Sequence, residues 1–465
     1  MNKQRVITIV EYGKLTCKDT IEETNKNIQT IKKSEIRELD EFIRDENNKE
    51  FNFLESFVKK GETLITAKNH VGVIQLKSGL TIEILPKIAK LQNDENNKIT
   101  KKILLEMLKI LKYFPVKQFD TANLDENKNI LEIFISMFID EVFNIVKRGL
   151  GSKYNLIENN QTFFKGRLKT IENIKHNMVH KEKFFVEYDE FNLNTAENKL
   201  IKSTLAKLVK ISTDTNNKSN INRLIINYFE NIENSNNFTA DFEQINIVRN
   251  NKHYENVMKW CEIFLRDKGL SSYSGNTISY AFLFPMEKIF EGYVAKQLEI
   301  EYKNKKEELI IQVQEKNLFT KIIKDGKEKA EKSFILKPDI LIKKNTKENV
   351  VLDTKWKALK ENEKNYKIAP ADMYQMYAYS KKYKTQKVIL IYPCFDEKTG
   401  NFVTYKDDDK TEVKIFLFDL TYFIKENKEQ SKNPTKQLIQ EIEMQTWLFL
   451  YNLSYSNKQE VFSYE

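Results

Sequence analysis

Cysteine is nearly absent: Cys17, Cys261 and Cys394 are the only three in 465 residues, far apart and without a CxxC pair. That argues against a disulfide framework and against a cysteine-built zinc site, and it fits a reducing compartment. Histidine is almost as scarce, with His70, His176, His180 and His253. His176 and His180 stand four apart, but no HExxH motif accompanies them, so a zinc role there has little support. No apolar run is long enough to span a membrane, and the N-terminus lacks a signal-peptide core. The expectation is a soluble, cytoplasmic protein. No segment matches GxxxxGK[ST], so no nucleotide-hydrolysing P-loop is recognisable, and no internal repeat is visible.

Lysine and large apolar side chains are abundant. Hydrophobic residues make up 40% of the chain, with 30 Phe and 21 Tyr, enough for folded cores. The length exceeds a single typical core, so two or three domains are expected. The net charge of +9 is supplied nearly all by lysine. It permits nucleic-acid binding without requiring it.

Along the chain, Arg5 to Tyr12 reads as a strand and Ser34 to Lys60 as helical, through Ile36, Leu39, Phe42 and Ile43, then Phe53, Leu54 and Phe57. Thr63 to Lys68, Val71 to Leu76 and Leu80 to Ile84 read as strands, the last two joined by a turn at Lys77-Ser78-Gly79. Apolar stripes predict helices over Ile103 to Leu111 and Leu131 to Val146, the second ending near Gly149. Tyr154 to Phe191 is mixed. Ala196 to Ile211 reads as a helix, Thr213 to Asn220 as a polar linker and Ile221 to Ile232 as another helix. A helix follows at Tyr254 to Lys268, then one with Pro285 in its first turn. Strands are expected at Leu309 to Gln314, Phe319 to Ile323, Phe334 to Ile342, Val350 to Lys355, Lys387 to Tyr392 and Val413 to Phe418. Helices at Ala371 to Tyr383 and Thr435 to Leu450 complete a central sheet flanked by helices.

The chemistry concentrates in Phe334 to Lys357, FILKPDILIKKNTKENVVLDTKWK. Asp339 and Asp353 sit in two apolar runs joined by a turn at Asn345 to Asn349. Acids there are costly unless paired or metal-bound. Hydrolysis of a phosphodiester needs an activated water, a cation at the phosphate and a group steadying the leaving oxygen. Asp339 and Asp353 can supply carboxylates to Mg²⁺, and Thr354 its backbone carbonyl. Lys355, two residues past Asp353, shares its side of the strand and is placed to orient water or stabilise developing charge. The plain alternative is a buried Asp–Lys ion pair. Glu287 and Glu291 lie four apart on the Pro285 helix, and Glu291 offers a third carboxylate. Gln375 and Tyr379, also four apart, share a helix face and offer an amide and a phenol to a phosphate or base edge. From Lys355 to Leu390, nine lysines face three acids, a segment suited to a DNA backbone or simply to water.

In order, E…PD…DTK…QxxxY resembles the PD-(D/E)xK nuclease superfamily, particularly its RecB-like branch. The resemblance assigns Asp339, Asp353 and Lys355 to the catalytic triad, Glu291 to the helix glutamate, and Gln375 and Tyr379 to the QxxxY pair. VGVIQLKSGLTIEILPKI (Val71 to Ile88) resembles a signature near the start of McrC proteins. KRGL (Lys147 to Leu150), FKGRL (Phe164 to Leu168) and VEYDEFNLNTAENKLIK (Val186 to Lys202) look like their central segments. FPMEKIFEGYV (Phe284 to Val294), PDILI and LDTKWK look like their nuclease half. The chain thus resembles the McrC family, with LlaJI-type relatives the nearest alternative.

That resemblance implies an α+β N-terminal partner-binding region, a central helical segment and an α/β PD-(D/E)xK (restriction-endonuclease-like) domain. The divisions fall at 1–160, motor-docking, 161–250, connecting, and 251–465, nuclease. It implies Mg²⁺ as cofactor and, as partners, a separate McrB-like AAA+ GTPase ring and double-stranded, methylated DNA. The implied function is the cutting subunit of a 5-methylcytosine-dependent restriction complex that also stimulates its partner's GTPase. Arg148 and Arg167 are candidates for reaching the ring, or ordinary structural pairs. The competing readings are a stand-alone RecB-like nuclease and a non-catalytic, GTPase-activating adaptor.

Overall fold

The computed structural model describes residues 5–17, 28–44, 53–59, 61–88, 98–110, 128–245, 249–265, 278–303, 308–325, 327–343, 349–395, 399–425 and 432–443. The fold is mixed α/β, with several sheets. Among the described residues no helix is long and apolar enough to cross a membrane.

The N-terminal part contains β1 (Arg5–Val10), β2 (Lys14–Thr16), β3 (Ile28–Thr30), α1 (Lys33–Arg44), β4 (Leu54–Lys59), β5 (Glu62–Ala67), β6 (His70–Leu76) and β7 (Leu80–Leu85). One helix was expected across Ser34 to Lys60, but the chain divides. Ile36, Leu39 and Phe42 bury one face of α1, whereas Leu54–Lys59 pairs antiparallel with β5. Gly61, at φ +79, makes the turn between β4 and β5, so Leu54 and Phe57 lie along a strand instead of following a helical stripe. Strands β2 to β5 form one sheet in the order β3-β2-β5-β4.

Helices α2 (Lys98–Ile110) and α3 (Ile130–Arg148) follow, the second N-capped by Asn129 and ending at Gly149. A ribbon comprises β8 (Lys153–Gln161), β9 (Arg167–Leu168), α4 (Thr170–Asn177) and β10 (Phe184–Asn192), ordered β8-β10-β9. Next come α5 (Ala196–Ile211), α6 (Thr215–Tyr228), α7 (Phe238–Gln244) and α8 (Glu255–Leu265). The expected linker at Thr213 to Asn220 is mostly the first turns of α6. Asp214 caps it by accepting from the Asn217 amide, and Asn217 is buried through its bond to Glu132. Polar composition there reflects capping and a buried network.

Strand β11 (Ile278–Pro285) completes the other N-terminal sheet, ordered β1-β7-β6-β11. Gly72 makes this approach possible: at φ +139, a Cβ there would collide with the Phe282 carbonyl oxygen. The chain passes from Pro285 directly into α9 (Met286–Tyr302). The sheet therefore hands the chain to the C-terminal half without a linker.

The C-terminal half holds β12 (Glu308–Ile311), β13 (Lys316–Asp325), β14 (Lys327–Leu336), β15 (Ile340–Lys343), β16 (Val350–Thr354), α10 (Pro370–Tyr383), β17 (Lys387–Cys394), β18 (Gly400–Lys406) and β19 (Glu412–Asp419), with a helix over 434–443. Its main sheet has the order β12-β15-β16-β17-β19-β18, parallel from β16 through β19. The expected single strand over Phe334 to Ile342 is two elements: β14 ends a hairpin with β13, and β15 begins only after Pro338-Asp339. Proline cannot donate to a ladder. Instead the carbonyls of Pro338 and Asp339 accept from the Val313 and Gln312 amides, at 3.2 and 2.8 Å. Most of the expected turn at Asn345 to Asn349, and the end of the final helix, lie outside the described residues.

Strand alternation sorts the sheet's two faces. Ile340, Leu352, Ile389, Ile391 and Phe418 join the large core with α9, α3 and α8. Leu341, Val351, Val388, Leu390 and Ile415 join a second core with Met376, Tyr379 and Tyr383 of α10. A third core packs the two N-terminal sheets with α1.

Candidate active site

The site forms where β15 begins and β16 ends. These strands are antiparallel, with Ile340 opposite Leu352, so Asp339 comes level with Asp353. Thr354 closes the pair: its amide and hydroxyl both donate to Asp339 Oδ2, at 2.6 and 2.7 Å. Asp353 accepts from the Lys355 ammonium through Oδ2. Parity along β16 directs Asp353 and Lys355 toward α10, with Val351.

The electrostatics are unbalanced. Asp353 is 1% exposed, and burial, then the charge of Asp339, push its carboxyl up to about 7 against the pull of Lys355. Burial also raises Asp339, opposed by the Thr354 bonds and Lys355. For Lys355, burial works against the charge, but Asp353 and Asp339 outweigh it and hold the ammonium above its ordinary range. Neither Oδ1 of the two aspartates has a hydrogen-bond donor among the described residues.

Glu291 projects from α9 near Asp339. Burial first and the Asp339 charge second raise its carboxyl, and the Gln312 amide reaches it at 3.4 Å. Gln312 also donates its backbone N–H to the Asp339 carbonyl at 2.8 Å. It therefore links α9 to the bend that carries Asp339. Gln375 and Tyr379 on α10 bond to each other at 2.6 Å. The Tyr379 ring is buried in the α10 core, and its hydroxyl is held well above the ordinary range by burial and then by Asp353. The phenol lies beneath Asp353, so Gln375, half-buried, is the more accessible member of the pair.

These residues suit Mg²⁺ by their chemistry. Asp339, Asp353 and Glu291 outnumber the one ammonium among them, and the shortfall is what a divalent cation offsets. Among the described residues no three His, Cys, Asp or Glu side chains are grouped closely enough to hold an ion alone. Magnesium does not need such a cage, because it keeps several waters and takes one or two carboxylates plus a substrate phosphate.

Residues 65–393 match the family described as McrBC 5-methylcytosine restriction system component. The chain belongs to the McrBC family. Among solved structures, a chain in the tetradecameric assembly of Thermococcus gammatolerans McrB AAA+ hexamers with bound McrC is similar at 18% identity and a TM-score of 0.68. That match covers 93% of this chain and 98% of that one. A chain of the Thermococcus gammatolerans McrBC complex matches at 20% identity, covering 63% and 87%, with a TM-score of 0.46. At such identity the first likeness shows a shared fold. No curated protein sequence matches.

In this McrBC-family chain the remaining candidates lie elsewhere. His176 stacks on Phe185 with ring centroids 5.2 Å apart, and His180 pairs with Glu182 at 3.2 Å, so each has a local partner. Arg148 ends α3 and Arg167 lies in β9, both exposed. Glu287 is in the first turn of α9; burial raises the carboxyl of Glu11, and the Glu287 charge adds to that rise.

Sequence reasoning missed four contributors. Gln312 and the Thr354 side chain carry no signal until β12, β15 and β16 are assembled. Asp372 takes Lys357 at 2.9 Å and the Tyr392 hydroxyl at 3.5 Å, and it adds to the negative field on Asp353. Glu11 accepts from the Trp356 indole at 2.9 Å, across 345 residues of sequence. Trp356 stands in the LDTKWK motif, which marks the place but not the partner.

Proposed function

We propose that this chain is the Mg²⁺-dependent, DNA-cutting subunit of a modification-dependent restriction complex, with a PD-(D/E)xK nuclease site at Asp339, Asp353 and Lys355. The observation that carries the reading is the meeting of these three groups at one sheet edge, with Thr354 fixing one acid and Lys355 paired to the other. Asp339 and Asp353 would hold the cation, with Glu291 beside them and the Thr354 carbonyl a further oxygen. When bound, Mg²⁺ acidifies water and neutralises charge on the phosphate. Lys355 then orients the attacking water and steadies charge developing on the phosphate. Gln375 and Tyr379 brace α10 beneath Asp353. Lys357, held by Asp372, faces solvent beside the site, where it can meet the DNA backbone.

The partner we infer is a separate McrB-like AAA+ GTPase ring, which supplies the motor and the choice of methylated DNA and whose GTP hydrolysis this chain stimulates. The β8-β10-β9 ribbon supports a protein partner. Among the described residues its strands pair only with one another, and Tyr154 on β8, Phe163 and Phe164 ahead of β9, Ile171 on α4, and Met178 and Val179 just after it stand exposed. Val179 is 84% and Ile171 78% exposed. Such clustering of apolar side chains is characteristic of an interaction surface.

The test combines this chain with the ring GTPase, methylated DNA, GTP and Mg²⁺. Cutting should require all of them and stop on chelation. Efficient cutting by the isolated chain would favour a stand-alone nuclease instead, and normal assembly with no cutting under any metal would favour an adaptor.

A further inference from the structure

Two ties join the N-terminal sheet to the candidate nuclease site. The first is covalent: β11, an edge strand of that sheet, runs straight into α9, the helix that carries Glu291. The Met286 amide fixes the junction by donating to the Asn69 carbonyl at 3.0 Å. The second is a hydrogen bond. Glu11 follows the last residue of β1, and its amide donates to Leu85 at the end of β7, at 2.9 Å. Its Oε2 accepts from the Lys87 amide at 3.0 Å and from Trp356 Nε1 at 2.9 Å.

Trp356 is the next residue after Lys355. Its indole packs on Phe290, with centroids 5.4 Å apart, and on Phe395 at 6.1 Å. Phe290 immediately precedes Glu291. The buried ring next to Lys355 in sequence therefore packs on the residue next to Glu291, and its N–H donates to Glu11. Lys355 is held from the other side, its amide donating to Ile391 at 2.9 Å.

Glu11 is an expensive residue for a purely structural role. It is 2% exposed, and its Oε1 is buried without a partner among the described residues. A buried carboxylate with one oxygen unsatisfied is destabilising compared with a neutral amide of the same shape.

We propose that Glu11 is a positioning residue of the nuclease site: through Trp356 it fixes the backbone that carries Lys355 to the end of the N-terminal sheet. The proposal rests on the nuclease reading above. It makes the N-terminal half part of the active-site frame as well as a candidate docking region, so displacement of that sheet moves Lys355 and Glu291 together.

The test measures kcat and KM for DNA on the full chain assembled with its GTPase partner. Trp356→Phe keeps the ring and removes only the donor. Glu11→Ala removes the acceptor. Glu11→Gln keeps one oxygen for both N–H groups and turns its NH₂ toward the unpartnered side. Glu11→Ala and Trp356→Phe should each lower kcat by about tenfold or more, the usual cost of disturbing a supporting contact, with KM changed by less than about twofold. Glu11→Gln should restore kcat to near the wild-type value. Wild-type kcat in Trp356→Phe, or equal loss in Glu11→Ala and Glu11→Gln, would overturn the proposal. Should Glu11→Ala fail to fold, the other two variants decide. Asp353→Ala separates the two levels. If it is inactive while Trp356→Phe cuts normally, only the positioning role falls. If it cuts like wild type, the nuclease reading falls and takes this proposal with it.

Discussion

The sheet edge at Asp353 and the ribbon at Val179 break the same rule in opposite directions. At the first, carboxylates are buried with too few cations; at the second, large apolar side chains stand in water. Each arrangement costs stability in the isolated chain, and in the proposed function each is offset by something the chain does not contain. The proposed function supplies what each lacks: a divalent cation and phosphate at the acids, a protein surface at the ribbon.

The most severe way to probe the contrast is to remove the site's cation. Lys355→Ala should lower DNA cleavage by the assembled complex on the order of 10³-fold. Assembly with the ring partner, which we propose the ribbon governs, should be unchanged in a pull-down or mass-photometry measurement. Loss of both together would mean that the two regions are not separable.

Glu132 supplies the control for buried charge. It is as buried as Asp353 but saturated, accepting from the Ser212 hydroxyl at 2.8 Å, the Thr213 hydroxyl at 3.0 Å and the Asn217 amide at 2.8 Å. Glu132→Ala should therefore destabilise the chain by about 3 kcal/mol in chemical unfolding, because it strands those donors. Asp353→Asn should leave the metal-free chain at least as stable as wild type. If the two substitutions cost alike, Asp353 is an ordinary structural acid.

On the ribbon, Ile171→Asp combined with Val179→Asp should weaken binding of the ring partner by about 2 kcal/mol, roughly thirtyfold in Kd. Unfolding should change by less than about 0.5 kcal/mol, since neither side chain is buried. A stability loss without a binding loss would remove the ribbon from the interface.

A further effect is one of pH. The Asp353 carboxyl is raised by burial and by Asp339, so the folded, metal-free chain keeps a proton that the unfolded chain has released. Its contribution is present below the ordinary carboxylate range and is lost as pH rises toward about 7. In EDTA the unfolding free energy of wild type should fall across that window relative to Asp353→Asn. Added Mg²⁺ should reverse the trend, because it binds the ionised form. A parallel pair of curves would show that the acid is not shifted.

The two regions also differ in how far the sequence exposes them. Asp339, Asp353 and Lys355 are legible because acids inside apolar β runs violate alternation locally, within the one stretch from Phe334 to Lys357. The surrounding strands and α10 are legible for the same reason, since period two and period 3.6 are short-range signals. The division of Ser34 to Lys60 is not, because helical and strand patterns of Phe and Leu coincide over so few residues. The fate of Phe334 to Ile342 turns on which amides take the Pro338 and Asp339 carbonyls, and those come from Gln312 and Val313. Glu11 is invisible for the most basic reason: nothing near it in sequence announces that its acceptor serves Trp356. The ribbon reads only as a mixed stretch over Tyr154 to Phe191, and its exposed apolar side chains emerge only once the fold is assembled.

The central claim is that Asp353 serves the cutting of DNA and not the stability or assembly of the chain. The direct measurement follows DNA cleavage and GTP hydrolysis together in the reconstituted complex carrying Asp353→Ala. The account predicts no DNA cleavage with GTP hydrolysis by the partner stimulated as in wild type. DNA cleavage at the wild-type rate would contradict it.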